Sequence, residues 1–156
     1  MLGAEGHVDE RFSATKRIVE GIIQKLGIDP AKAKVGDSAD QTSWTLARGS
    51  ANVLVTVVHR PEQKAVFFRV AAPVMVPDPA QPKEPLYRRL LEINAGGLAN
   101  AHFGLLGEKI VAVSERPAEG LDAAEAEQMI RHLSAVADTF DDRLVREFGG
   151  TRASDA

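Results

Sequence analysis

Hydrophobic and polar positions along this chain repeat with two different periods. Between Asp9 and Leu26 the apolar residues recur every three or four positions, which is the pattern of an amphipathic helix. Asp9 is a candidate N-cap for this helix, and Gly27 suits the left-handed residue that follows a helix end. A short strand could lie near Val35, after a polar and weakly patterned stretch.

From Thr42 to Val76 the period changes to two, which predicts three β-strands joined by short turns. Gly49-Ser50 is a plausible tight turn after the first strand, and residues 59–63 form the turn after the second. The segment is rich in β-branched and aromatic residues, and its loops span two to five residues. These features favour an antiparallel meander.

The second half of the chain predicts a helix, a hairpin and a long final helix. Pro85 suits the first turn of the middle helix. Gly107 is the residue of the following hairpin that most readily adopts a positive φ. Asp122 and Glu125 form a capping-box-like start to the final helix, whose apolar stripe continues to about Phe148.

The predicted order α-β-β-β-α-β-β-α describes an α+β domain, with a mostly antiparallel sheet packed against helices. A chain of 156 residues with 44% hydrophobic composition is typical of one domain. We therefore expect residues 1–150 to form a single domain and residues 151–156 to form a flexible tail.

Composition excludes several classes of function. The chain has no cysteine, which excludes a disulfide scaffold, a thiolate nucleophile and a cysteine-ligated metal. A net charge of −3 and a pI near 5.8 argue against nucleic acid as the main partner. Apolar runs are too short to span a bilayer, and the N-terminus lacks the features of a secretory signal. We expect a cytoplasmic protein with no membrane partner.

Candidate catalytic groups do not form a recognisable set. The histidines have no partner at metal-ligand spacing, and they are scattered over tail, turn, strand and helix: His7, His59, His102 and His132. Asp141-Asp142 could be read as paired carboxylates, but adjacent helix residues point about 100° apart. A solvated helix face is the better interpretation for both aspartates. We therefore expect no enzyme activity, no catalytic residue, no metal site and no cofactor.

Two strands present unusual side-chain sets on both faces of the predicted sheet. One set is wholly apolar and suits the face under the helices: Val53, Val55, Val57, Val66, Phe68 and Val70. The opposite set is less polar than a solvated face normally is: Leu54, Thr56, Val58, Phe67 and Arg69. Leu54, Val58, Phe67 and Arg69 are therefore candidates for a protein-binding surface. The alternatives are that a helix also covers this face, or that these are isolated exposed apolar residues.

The middle helix carries more apolar residues than one buried stripe requires. Leu86, Leu90 and Ile93 share one face, so Tyr87 and Leu91 point sideways. A second copy of the chain could cover Tyr87 and Leu91 across a two-fold axis, which predicts a homodimer. The alternative is a monomer in which the sheet or the proline-rich loop, Pro77–Pro85, covers Tyr87.

A family resemblance is found in four segments of the second half: Leu90–Asn94, Ala101–Leu105, Lys109–Val113, and the final helix together with the preceding Leu121. This pattern resembles that of YbjN-like proteins, which share the fold of the type III secretion chaperones. The resemblance covers residues of about 85–148 by pattern and the first half only by element order. The proline-rich loop and the very apolar end of the third strand depart from it.

The resemblance implies a small, acidic, cytoplasmic bacterial protein that acts by binding. Secretion chaperones of this fold are homodimers that hold an extended segment of a client, and YbjN-like proteins resemble regulators or adaptors. The sequence therefore favours a non-catalytic, chaperone- or adaptor-like domain that binds a protein or an extended peptide. The alternative is a small-ligand sensor with a pocket between the final helix and the sheet. That pocket would be lined by Trp44, Phe68, Phe103 and Phe140.

Overall fold

The computed structural model describes residues 3–48 and 51–156. The described helices are α1 (Ala4–Lys25), α2 (Pro30–Ala33), α3 (Glu84–Gly96) and α4 (Ala123–Phe148). The described strands are β1 (Lys34–Asp37), β2 (Gln41–Arg48), β3 (Ala51–Arg60), β4 (Ala65–Val76), β5 (His102–Leu106), β6 (Lys109–Pro117) and β7 (Thr151–Arg152).

The strands form an antiparallel sheet in the order β1-β2-β3-β4-β6-β5, and β7 pairs with β4. The predicted α+β class and the predicted element order are confirmed. To that order the structure adds the one-turn helix α2, the edge strand β1 near Val35, and β7. The predicted turn at Gly49-Ser50 lies outside the described residues.

Contacts between residues divide the chain into two compact units. Unit 1 contains the described residues up to Leu46, together with Leu54–Val70 and Glu115–Ile130. Unit 2 contains Ala47–Val53, Ala71–Ser114 and Arg131–Ala156.

The core of unit 1 is formed by alternate strand residues and by one stripe of α1. The buried strand side chains are Trp44, Leu46, Val55, Val57, Val66, Phe68 and Val70. The stripe of α1 contributes Val19, Ile22 and Ile23, which recur at the three- and four-residue spacing of a helix face. Burial of each large apolar side chain stabilises the fold by about 1.5–3 kcal/mol.

The core of unit 2 centres on α4 and on the contact between α3 and β5. Phe103 of β5 is buried, and its ring meets the half-buried Phe140 of α4 edge-on at 5.2 Å between centroids. Asn94 of α3 binds the backbone of the same strand, because its side-chain amide accepts from Phe103 N at 2.7 Å and donates to Phe103 O at 3.1 Å. The strand β5 is thus fixed by one aromatic pair and one pair of hydrogen bonds.

Helix ends follow the sequence signals in part. Asp122 Oδ1 accepts from Glu125 N at 2.8 Å, as the capping pattern predicts, and Gly27 has the expected positive φ of 80°. The prediction of Asp9 as an N-cap is wrong, because α1 begins at Ala4 and its N-cap is Gly3. Since Gly3 has no side chain, this helix start carries no polar capping signal in the sequence.

Residues 151–156, for which the sequence predicts a flexible tail, include a short strand. Thr151 and Arg152 form β7, which pairs with Val76 and Met75 at the end of β4. Arg152 is also held by ion pairs, with Asp155 Oδ2 at 2.7 Å and Asp142 Oδ1 at 3.3 Å.

Two glycines bring the chain back from α4 to the edge of β4. Gly149 and Gly150 have φ values of 78° and 92°, a region that L side chains rarely adopt. A Cβ atom on Gly150 would collide with the carbonyl oxygen of Val76. Glycine at position 150 is therefore required both by the backbone angle and by the close approach of β4.

Substitution of Gly150 by alanine should destabilise the protein by about 2 kcal/mol or more, because strain at a positive φ and a backbone collision add. The matched control is Gly21→Ala in the middle of α1, where the new methyl group would meet no atom within 4 Å beyond its chain neighbours and the adjacent backbone of its own helix. This control should raise the free energy of unfolding by about 0.5–1 kcal/mol. Urea denaturation followed by circular dichroism at 222 nm measures both. Equal stability of the two variants would contradict the role of Gly150.

Candidate functional site

One face of β3 packs into the core, and the opposite face is partly exposed. Val55 and Val57 have no exposed surface. Since successive strand side chains point to opposite faces, Leu54 and Val58 are directed to the outer face. Both are half-buried there.

Arg60, at the end of β3, crosses the neighbouring strand on the same outer face. Its guanidinium lies over the ring of Phe67 in β4, with 4.7 Å from Cζ to the ring centroid. It then forms an ion pair with Glu115 Oε1 of β6. Because β4 lies between β3 and β6 in the sheet, the Arg60 side chain spans three strands above the Phe67 ring.

Arg69 of β4 is the second cation on this face. Its Nη1 lies 3.7 Å from Glu115 Oε2, and 38% of its side chain is exposed, against 28% for Arg60 and 22% for Glu115. Ion pairs at this level of exposure are worth about 0–1 kcal/mol. They therefore fix where the charges lie more than they stabilise the fold.

A buried hydroxyl pair completes the face. Ser43 Oγ of β2 and Thr56 Oγ1 of β3 lie 3.0 Å apart, and both residues are buried. Buried hydroxyls normally need a hydrogen-bond partner. Their mutual hydrogen bond lets two polar residues occupy this face without an unsatisfied group.

These residues define two surfaces, which we name here. The outer patch consists of Leu54, Val58 and Phe67. The charged rim consists of Arg60, Arg69 and Glu115. Both belong to unit 1.

The four residues predicted as a protein-binding surface lie on the adjacent strands β3 and β4. Leu54, Val58, Phe67 and Arg69 are all half-buried side chains of β3 and β4. This intermediate exposure contrasts with Thr56, which lies between Leu54 and Val58 on the same face of β3 and is buried.

Sequence reasoning missed two members of the charged rim. Arg60 was assigned to the predicted turn at residues 59–63, whereas β3 continues to it. Its even spacing from Leu54 and Val58 was the available signal, since these three residues share a face in an extended strand. Glu115 gave no such signal, because its partners lie on other strands.

The exposed face of α3 forms a second apolar surface, in unit 2. Leu91 is 68% exposed and Tyr87 is half-buried. With Ala95 they line an open depression edged by charged residues, which are Glu84, Arg88 and Glu92. The ion pair between Glu84 and Arg88, at 2.6 Å, lies along this edge.

The histidines have separate local contacts. His59 Nδ1 lies 3.0 Å from Asp40 Oδ1, and His132 Nε2 hydrogen-bonds with the carbonyl oxygen of Ala99. Within residues 3–48 and 51–156, no three His, Asp or Glu side chains are grouped so as to hold a metal ion.

The interpretation of Asp141-Asp142 as a solvated helix face is wrong for Asp141. Asp142 is exposed, but Asp141 is buried, with 8% of its surface accessible. Loss of solvation raises the pKa of the Asp141 carboxyl above its usual value, although a hydrogen bond from the Asp142 N–H acts in the opposite direction.

The aromatic residues proposed as a ligand pocket are packing residues in the structure. Trp44 and Phe68 are fully buried in the core of unit 1. Phe103 and Phe140 form the edge-on pair of unit 2.

No helix in the described part of the chain is both long and apolar enough to cross a membrane.

Comparisons with known proteins agree with this fold. A family model, TY-Chap1, described as T3SS (YopN, CesT) and YbjN peptide-binding chaperone 1, matches residues 14–156. A chain of the crystal structure of the ExsC-ExsE complex is similar, with 17% identity, a TM-score of 0.61, and coverage of 85% of this chain and 94% of that chain. A chain of the HopA1-SchA chaperone-effector complex has 14% identity, a TM-score of 0.54, and coverage of 82% and 93%. Curated proteins give no significant match.

Replacement of Asp141 by asparagine should change how stability depends on pH. Because the folded-state pKa is raised, the folded protein binds the proton more tightly than the unfolded chain. The wild type therefore loses stability as pH rises from about 3.8 through the folded-state pKa. Asp141→Asn should be more stable than the wild type at pH 7, with a gap that shrinks towards pH 3.

Thermal denaturation at several pH values measures this gap. The exposed Asp142→Asn is the matched control, because Asp142 is the neighbouring carboxylate and forms a surface ion pair with Arg152. A wild type more stable than Asp141→Asn at pH 7 would contradict the assignment of a destabilising buried carboxylate.

Proposed function

This chain belongs to the TY-Chap1 family of peptide-binding chaperones, and from that premise we propose that it holds an extended segment of a client protein without catalysing a reaction. The outer patch carries this proposal, since it offers half-exposed apolar side chains on a sheet face. Structural neighbours support a protein client, because one of them is described as a chaperone-effector complex.

The geometry of an extended peptide suits such a patch. Side chains at alternate positions of an extended chain point to the same side and are spaced by about 7 Å. Leu54 and Val58 are four positions apart on β3, or about 13 Å, so apolar side chains four positions apart in an extended client match them. Phe67 of β4 offers a further apolar contact. Each square ångström of apolar surface that is buried contributes about 25 cal/mol.

The surface on α3 supports a further part of the proposal, which is a homodimer. Leu91 is more exposed than the other large apolar side chains of the described residues. Acidic and basic residues alternate beside it, so the depression could meet its own copy with charges paired across a two-fold axis. We assign Tyr87 and Leu91 to this contact.

The proposed setting is the bacterial cytoplasm, with no nucleic acid or membrane as partner. The net charge of −3 supports the absence of a nucleic-acid partner. The family description, which names T3SS chaperones, supports the bacterial cytoplasmic setting.

Peptide binding should depend on the outer patch. Selection from a phage-displayed library of random 12-residue peptides provides a probe, and fluorescence anisotropy of the best peptide gives its Kd. Leu54→Ser combined with Val58→Ser should weaken binding by about tenfold or more, because two apolar contacts are lost. Leu26→Ser is the control, since Leu26 is 37% exposed in unit 1 but lies at the C-terminal end of α1, outside the sheet.

Fluorescence of Trp44, the single tryptophan, reports whether unit 1 keeps its core in each variant. Unchanged peptide affinity in a folded double variant would remove the outer patch from the proposed function.

Self-association should depend on Tyr87 and Leu91. Light scattering at micromolar concentration should give about twice the 16.8 kDa mass of one chain. Tyr87→Glu with Leu91→Glu should return the mass to that of one chain, because like charges would be buried across the axis at a cost of several kcal/mol. The control, Arg89→Glu on the same helix, should remain dimeric. A wild-type mass near 16.8 kDa would contradict the dimer.

A further inference from the structure

The charged rim has a positive excess within an acidic chain. Arg60 and Arg69 face one carboxylate, that of Glu115. The protein as a whole carries a net charge of −3. The sign of charge beside the outer patch is therefore opposite to that of the whole molecule.

The two arginines are engaged to different degrees. Arg60 uses the face of its guanidinium on Phe67 and pairs with Glu115 Oε1. The ion pair that the structure shows for Arg69 is the 3.7 Å contact with Glu115 Oε2, which is too long for a hydrogen bond. Because a guanidinium has five N–H donors, Arg69 retains most of its donor capacity.

Glu115 is the least exposed member of the rim. Its carboxylate is already paired with Arg60, and 22% of its side chain is accessible, compared with 38% for Arg69. A basic client would compete with Arg60 and Arg69 for this single carboxylate. An acidic client can bind Arg69 and leave the pair in place.

We propose, as an extension of the proposed function, that the client segment on the outer patch is an acidic-apolar one and that Arg69 binds its carboxylate. In this segment the Asp or Glu stands two positions from a large apolar residue. The two-residue spacing follows because side chains at i and i+2 of an extended peptide point to the same side. Arginine is suited to this role, since its planar donors match a carboxylate in a bidentate hydrogen bond.

The phage selection described above tests this chemistry directly. Peptides selected on the wild type should be enriched in Asp or Glu two positions from Leu, Ile, Val or Phe. Selection on Arg69→Glu should lose this enrichment and favour Lys or Arg at the same spacing. Arg17→Glu, an exposed arginine of α1, is the matched charge-reversal control and should select the same peptides as the wild type.

Affinities then separate the contribution of Arg69 from a general effect of charge. The best peptide should bind the wild type about five- to tenfold more tightly than the same peptide with its acidic residue changed to Asn or Gln. Arg69→Gln should bind the two peptides equally, and Arg69→Lys should retain part of the difference. The difference should also shrink between 50 and 500 mM salt, because exposed charges are screened.

Each outcome decides between the two proposals. Apolar peptides without an acidic residue at that spacing, or peptides with a basic one, would overturn this inference and leave the proposed function intact. An acidic preference that persists in Arg69→Gln would overturn the role of Arg69. If no peptide is enriched on the folded wild type, the proposed function fails and this inference fails with it.

Discussion

Alternation of side chains along β3 and β4 is the constraint on which the candidate site depends. Val55, Val57 and Phe68 have no exposed surface, and burial of each stabilises the fold by about 1.5–3 kcal/mol. A shift of the strand register by one residue would move this whole set into solvent. The register is therefore fixed by the core, and the same register places Leu54 and Phe67 on the outer face. Core packing fixes which residues face outward but does not require them to be apolar, and the proposed binding role rests on this difference.

The charged rim depends in turn on that register. Arg60 reaches Glu115 only because its position at the end of β3 directs its side chain to the outer face, above Phe67. An exposed ion pair contributes little to stability. Its physical effect is to hold one face of the Phe67 ring and to leave Arg69 as the more exposed cation. A surface arranged in this way before binding loses less conformational entropy when a partner docks.

The elements that the sequence predicts correctly are those whose signal is local. Strand alternation and helix periodicity can be recognised in a short window of neighbouring residues. They are enough to predict the order of elements and which side chains of β3 and β4 face away from the core. Contacts between distant residues were not predictable in this way. Because Pro61 favours a turn, the sequence places Arg60 in the turn and not at the end of β3. The ion pair between Arg60 and Glu115 is therefore not predicted. The burial of Asp141 is not predicted either, because it depends on residues that are distant in the sequence. From local sequence alone, an acidic pair on a helix is expected to be exposed to solvent.

The outer patch is small, and its size limits what it can do alone. Three half-buried side chains offer only part of their area to a partner, and association has to offset lost translational and side-chain freedom. Contact with a single patch therefore suits weak and reversible binding of an extended segment. Two copies joined through Tyr87 and Leu91 would present two such patches to one chain. The second contact is then made at a high effective concentration, which raises the overall affinity without any stronger individual contact. Weak sites in a symmetric pair favour a long, unfolded client over a short or folded one, and this selectivity is the property that a chaperone requires.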